Sequence, residues 1–149
     1  MRAMVQDSYG SPETLELREI DKPTFGERDV LIRVRAAGVN PADWAIMNGL
    51  PYVARPVYGL RRPGAGVRGT DVAGVVEAVG ARVTAFCPGD AVFGWGRGSF
   101  AEYVCAKEDA LELKPANVSF EQAAAAPLAG WWRFRRFGIT ARSNAGRRF

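Results

Sequence analysis

From Met1 to about Leu113 the apolar residues come in short runs, cut again and again by Gly, Pro or Asp. A chain punctuated this closely has no room for long helices, and its runs must bury their faces by pairing as strands in a barrel or sandwich. Arg2–Gln6, Leu15–Glu19 and Val30–Ala37 are predicted strands. In Val30-Leu31-Ile32-Arg33-Val34-Arg35-Ala36 the even positions are apolar and alternate with Arg33 and Arg35. Side chains alternate across a strand, so one face can be buried and the other wet. Asp71–Val79 is a further apolar strand whose Gly74 permits a bend or a close backbone approach. Strands around Asp90–Phe93 and Phe100–Ala106 follow a Pro88-Gly89-Asp90 turn, in which Pro fixes φ and Gly accepts positive φ.

Two short helices interrupt the pattern. Asn40 is a good N-cap and Pro41 suits the first helical position, where a missing N–H costs nothing, so Pro41–Met47 is predicted helical. Ser119-Phe120-Glu121-Gln122 fits a capping box opening a helix through Ala126. At 149 residues the chain has the size of one domain.

Composition removes several function classes. There is no histidine, which excludes Ser-His-Asp and Cys-His nucleophiles and histidine-bearing metal motifs. Cys87 and Cys105 have no CxxC spacing and are expected to be reduced structural thiols. Cys87 beside the Pro-Gly turn lacks anything to activate it as a nucleophile. No run approaches the roughly 18 consecutive apolar residues of a membrane span, and the first residues lack a signal-peptide core, so a cytoplasmic location is expected. The net charge of +4 is misleading, because six arginines lie after Gly130 with no acid among them, leaving −2 for residues 1–130. The body therefore offers no nucleic-acid footprint.

The segments MRAMVQDSYGSPETLELREI, DVLIRVRAAGVNPADWAIMNG, GTDVAGVVEAVG, FCPGDAVFGWGRGSFAEYV and SFEQAAAAPLAG stand in collinear order over residues 1–130. Together they resemble the amino-terminal, GroES-like half of the quinone-oxidoreductase branch of the medium-chain dehydrogenases/reductases. The resemblance implies a mainly β fold, a partly open GroES-like β-barrel with short helices over residues 1–118. A connecting helix would begin at 119–130, and the family's Rossmann α/β domain is absent from this chain. In the full-length family NADPH delivers hydride to a conjugated carbonyl, a quinone or an enone, and that small molecule is the implied partner rather than nucleic acid or membrane.

Zinc-dependent alcohol dehydrogenases of the same superfamily carry a ligating Cys at the position of Asn40 and a ligating His at that of Thr70. Asn and Thr are poor zinc ligands, and the four-cysteine structural zinc loop is missing too, so the resemblance is to the zinc-free enzymes. The NPxD segment lines the cleft beneath the nicotinamide ring in that family. This makes Asn40 and Asp43 candidate catalytic residues and Asn40 the one candidate for a nicotinamide contact, with Trp44, Met47 and Tyr52 as a wall for a planar substrate. Competing structural roles are a helix cap for Asn40 and core packing for Trp44 and Met47, three residues apart.

Two other motifs are expected to be decoys. Gly64-Ala65-Gly66-Val67-Arg68-Gly69 spells GxGxxG, yet it follows Arg-Arg-Pro and leads into a strand, so it is read as a loop and not a dinucleotide fingerprint. Trp131-Trp132-Arg133-Phe134-Arg135-Arg136-Phe137 looks like a nucleic-acid or membrane-surface segment. With one cytosine restored after Gly130, however, suitable codons for 131–149 can be read in the shifted frame as LVALPAFRDHGKVERGQTV, which resembles the family's continuation. The expectation is a frameshifted tail and a truncated, inactive oxidoreductase that binds neither NADPH nor zinc. A marginal fold prone to association as a homo-oligomer or aggregate is expected with it. The rival readings are a non-catalytic GroES-like interaction module and a binder acting through the arginine-rich tail. Deleting the tail would abolish only the last of these activities.

Overall fold

The computed structural model describes residues 1–64 and 66–127, so the arginine-rich tail and its frame reading lie outside the described residues. Seven strands and three α-helices follow one another as β1 (Arg2–Gln6), β2 (Leu15–Glu19), β3 (Asp29–Gly38), α1 (Pro41–Met47), α2 (Arg55–Tyr58), β4 (Asp71–Val79), β5 (Ala91–Trp95), β6 (Tyr103–Lys107), β7 (Leu111–Leu113) and α3 (Phe120–Ala124). All pairings are antiparallel: β1 with β2, and a five-stranded sheet in the order β6-β3-β4-β5-β7. The β1–β2 hairpin is tied to the larger sheet by bridges Ala3↔Ala101 and Val5↔Val67, which partly close a mainly β barrel.

The long strand β3, paired on both sides by β6 and β4, shows how the pattern in the sequence is used. Val30 and Ile32 are buried while Arg33 and Arg35 are exposed. Strict alternation breaks at Leu31, which is also buried, and the pairing with β4 shifts register between Leu31 and Ile32. Such an irregularity rotates the chain locally and lets both neighbours face apolar surroundings. Val30, Ile32, Val72, Val76, Phe86, Val92, Val104, Ala106 and Leu111 form the main core. Gly74 is used as a close approach: a Cβ there would run into the Arg33 carbonyl oxygen and lie 2.8 Å from Ile32 Cγ2.

The predicted α1 is observed with the same bounds, whereas the second predicted helix is shorter than expected. Ser119 and Gln122 do form the capping box, but the helix stops at Ala124 with Ala125 as C-cap. Ala123 and Ala124 are buried with Ala73, against Ala36 and Phe93, whereas Ala125 and Ala126 are exposed and are not part of this cluster. Gly89 has φ +97 in the anticipated turn, where Cys87 N–H donates to Asp90 Oδ2 at 2.8 Å. Residues 66–69 of the GxGxxG spelling run outside any helix into β4, and Ala65 lies outside the described residues.

Candidate functional site

The chain leaves β3 at Gly38 and turns through Val39 and Asn40 into α1, so Asn40 stands at the end of a rigid strand and the start of a helix. Asn40 has extended backbone at the N-cap and forms a capping box with Asp43. Asp43 Oδ2 accepts from the Asn40 backbone N–H at 2.9 Å, and its Oδ1 accepts from Thr70 Oγ1 at 3.3 Å. Asn40 Nδ2 donates to Asp71 Oδ2 at 3.1 Å. The structural role expected of Asn40, a helix cap, is therefore present, and its amide at the same time reaches across to β4. Asp43 and Asp71 are buried, and each carboxylate accepts a hydrogen bond within the cluster, which lowers the cost of that burial.

The other end of α1 is held from the hairpin. Gln6, buried in β1, donates through Nε2 to the Met47 carbonyl at 3.0 Å and to Thr14 Oγ1 at 2.9 Å, and Gly10 N–H reaches the same carbonyl at 3.1 Å. Arg68 Nε donates to Gln6 Oε1 at 2.7 Å. Burial pushes the Arg68 guanidinium below its ordinary value, while Tyr9 and Asp43 act in the opposite sense. A buried polar chain thus runs from Thr14 through Gln6 to Arg68, whose charge is felt at Asp43. It holds the C-terminal end of α1 through the Met47 carbonyl.

The three wall candidates separate. Met47 is only 7% exposed and packs inside, so the core role expected of it holds. For Trp44, 56% exposed, the core role fails: it points away from the packed face, as does Tyr52 at 68%. Hydrogen bonds gather Asn40, Asp43, Thr70 and Asp71 into one cluster, and Trp44 adjoins it on α1. Tyr52 belongs to a second group. The Arg55 guanidinium lies 4.8 Å from the Tyr9 ring centroid and 4.6 Å from that of Tyr52, and its Nε donates to the Gly49 carbonyl at 3.1 Å. Tyr9 hydroxyl donates to the Gly59 carbonyl at 2.6 Å. Gly49, at φ +66, ends α1, and a Cβ there would come within 2.9 Å of the Tyr9 ring and 3.0 Å of Arg55 Nε.

Sequence reasoning missed Asp71 and Arg55. The signal for Asp71 was an acid opening an otherwise almost wholly apolar strand, a position where a charge needs a partner. Nothing in the spelling marked Arg55: Tyr52 lies only three residues before it, but the second ring, Tyr9, comes from a distant stretch.

Among the described residues no group of three or more His, Cys, Asp or Glu side chains could hold a metal ion. No described helix is long and apolar enough to cross a membrane. Cys87 is exposed and Cys105 half-buried, both free, and burial raises the Cys105 thiol to about 11.

Comparison with known proteins fits this geometry. Residues 26–116 match the alcohol dehydrogenase GroES-like domain model. The chain is 38% identical over 149 residues to the quinone oxidoreductase of Lama guanicoe, an alignment covering 98% of this chain and 43% of that protein. It superposes on the quinone oxidoreductase of Coxiella burnetii with a TM-score of 0.81 at 31% identity, covering 93% of this chain and 45% of that one. On the Escherichia coli quinone oxidoreductase complexed with NADPH the TM-score is 0.77 at 28% identity, over 94% and 41% of the two chains. The chain spans less than half the length of these relatives.

Proposed function

The chain belongs to the alcohol dehydrogenase GroES-like domain family, and from that premise we propose that it is the substrate-side part of a zinc-free, NADPH-dependent reductase that passes hydride to a quinone or enone. The observation that carries this reading is the cluster of Asn40, Asp43, Thr70 and Asp71 at the mouth between β3 and β4, with Trp44 exposed beside it.

The donor set does not fit catalytic zinc. Asn40 and Thr70 offer no thiolate or imidazole and direct their own hydrogens to carboxylates, so no step runs through a metal. The described residues likewise contain no phosphate cradle, since the GxGxxG spelling leads into β4 instead of a helix N-terminus. They fit only the ring end of a nicotinamide cofactor, beside the cluster. NADPH, held by a nucleotide-binding domain, would supply the hydride there.

What this chain contributes is orientation. One N–H of the Asn40 amide is committed to Asp71, which fixes the amide plane and leaves the other N–H to meet a substrate carbonyl oxygen. Negative charge grows on that oxygen as hydride arrives, and a preset donor stabilises it without reorganising. Asp43 has both oxygens occupied, by Asn40 N–H and Thr70 hydroxyl, so it positions the cap.

The test is a longer chain in which one base is restored after the Gly130 codon. It is expected to oxidise NADPH with quinones or enones, to be indifferent to chelators, and to lose about a hundredfold in turnover on Asn40→Ala, whereas loss of a cap alone costs about 1 kcal/mol of stability. Zinc-dependent activity, or unchanged turnover in Asn40→Ala, overturns the reading. The 149-residue chain itself is expected not to bind NADPH at micromolar concentration in a fluorescence titration.

A further inference from the structure

The segment from Trp44 to Thr70 contains four arginines, Arg55, Arg61, Arg62 and Arg68, and no acid. Outside it, Arg2 pairs with Glu102, Arg18 with Asp7 and Glu16, and Arg82 with Glu27. Arg55 is treated differently. Its guanidinium lies against two aromatic rings, those of Tyr9 and Tyr52, and its Nε edge is taken by the Gly49 carbonyl. The clamp is itself anchored, because the Tyr9 hydroxyl is bonded to Gly59 and Gly49 leaves room for the ring. No carboxylate pairs with Arg55 among the described residues.

We propose that Arg55 is a specificity-determining residue, which selects planar substrates carrying an anionic substituent such as a carboxylate or sulfonate. This deepens the reductase reading and rests on it, since it takes the exposed ring of Tyr52 as the surface on which a planar substrate lies. The terminal nitrogens are the one part of the guanidinium left uncommitted, and a fork of parallel N–H groups matches the two oxygens of such an anion. Ordinarily an exposed arginine surrenders much rotamer freedom when it makes this contact. Here the two rings have already removed that freedom, so the contact costs less entropy. The surrounding acid-free stretch adds a field of the same sign and attracts the anion from a distance.

The experiment uses the 149-residue chain and two probes whose ring carbons are blocked toward thiol addition at exposed Cys87: anthraquinone sulfonate and the uncharged hydroxymethyl anthraquinone. Tryptophan quenching measures affinity for each, so the neutral probe reports whether the planar surface is intact. The sulfonate is expected to bind about tenfold tighter than the neutral probe, with a preference that shrinks as salt is raised. Arg55→Met, which keeps an aliphatic stem between the rings, is expected to bring the ratio to about one without weakening the neutral probe. Arg55→Lys should keep part of the preference. Equal binding of the two probes to the unaltered chain overturns the proposal and leaves the planar site standing. A ratio that survives in Arg55→Met also overturns it, by assigning the preference to Arg61 or Arg62. Failure of both probes to bind overturns the planar site itself, and the proposal with it.

Discussion

The five-stranded sheet and the excursion from Trp44 to Thr70 are built on opposite principles. In the sheet, Val30, Ile32, Val72 and Val92 are wholly buried, and the charged residues at its margins are paired, as Asp29 is with Lys107. In the excursion Val53 is 85% exposed, Leu60 71% and Tyr52 68%, and the charges are all of one sign. The excursion leaves the polar cluster at Asp43 and returns to it at Thr70, where Thr70 hydroxyl closes back onto Asp43. Stability therefore resides in the sheet. The proposed recognition surface lies in a segment that exposes much of its apolar surface and is held at its two ends by the cluster.

The largest effect expected from that division is at Ile32. Replacing it with Ala removes a buried side chain from the main core and should cost about 2–5 kcal/mol. Val53→Ala should stay within about 0.5 kcal/mol. Urea midpoints at constant slope would measure both, and similar losses would erase the distinction between the regions. Next comes Gly38→Ala, because a Cβ at Gly38 would strike the Ala124 carbonyl oxygen and lie 3.1 Å from Asp71 Cβ. Forcing α3 off the sheet should cost about 1–3 kcal/mol, read as a lower melting temperature and earlier proteolysis after α3.

A smaller effect is expected in acid. Asp29 lies below its ordinary 3.8, held first by Lys107 and then by the Gly26 N–H, and Glu108 lies below 4.5 because the backbone N–H groups of Ala85 and Thr84 bind its carboxylate. Both values are depressed on folding, so their contribution is complete above the unfolded values and is lost as the pH falls through the folded ones. Asp29→Asn and Glu108→Gln should flatten the stability curve below about pH 4 and leave the neutral region little dependent on pH. A wild-type acid limb in the double variant would show that other carboxylates carry it. The smallest signal is dye binding: exposed Val39, Val53 and Leu60 should bind a hydrophobic dye, and Val53→Ser combined with Leu60→Ser should lower that fluorescence with little change in melting. A chain that binds no dye and melts sharply as a monomer would favour an independent β-module.

The fold was legible where a local rule and the tertiary context agree. Alternation in β3, the Asn40-Pro41 start of α1 and the Pro88-Gly89 turn each have a short-range cause, and each element forms where that cause places it. The end of α3 was not legible, because it is set by how far Ala123 and Ala124 can dock on the sheet rather than by the capping box that opens the helix. Asn40 and Asp43 could be singled out by resemblance, but their joining to Thr70 and Asp71 depends on the antiparallel pairing that sets Gly38 opposite Asp71. The Tyr9–Arg55–Tyr52 stack is less legible still. Tyr52 and Arg55 share one turn, but Tyr9 follows β1, and only the fold brings its ring to the guanidinium.

The seat of α3 on Gly38 has a consequence in terms of effective concentration. The helix ends against the strand two residues before Asn40, so any polypeptide attached beyond residue 127 sets out from a point already beside the polar cluster. Such a tether makes encounter with the cluster intramolecular, at a local concentration on the order of millimolar for a short flexible link. The partner's dilution in solution then ceases to matter, and a domain with only weak affinity for this surface would still spend much of its time upon it.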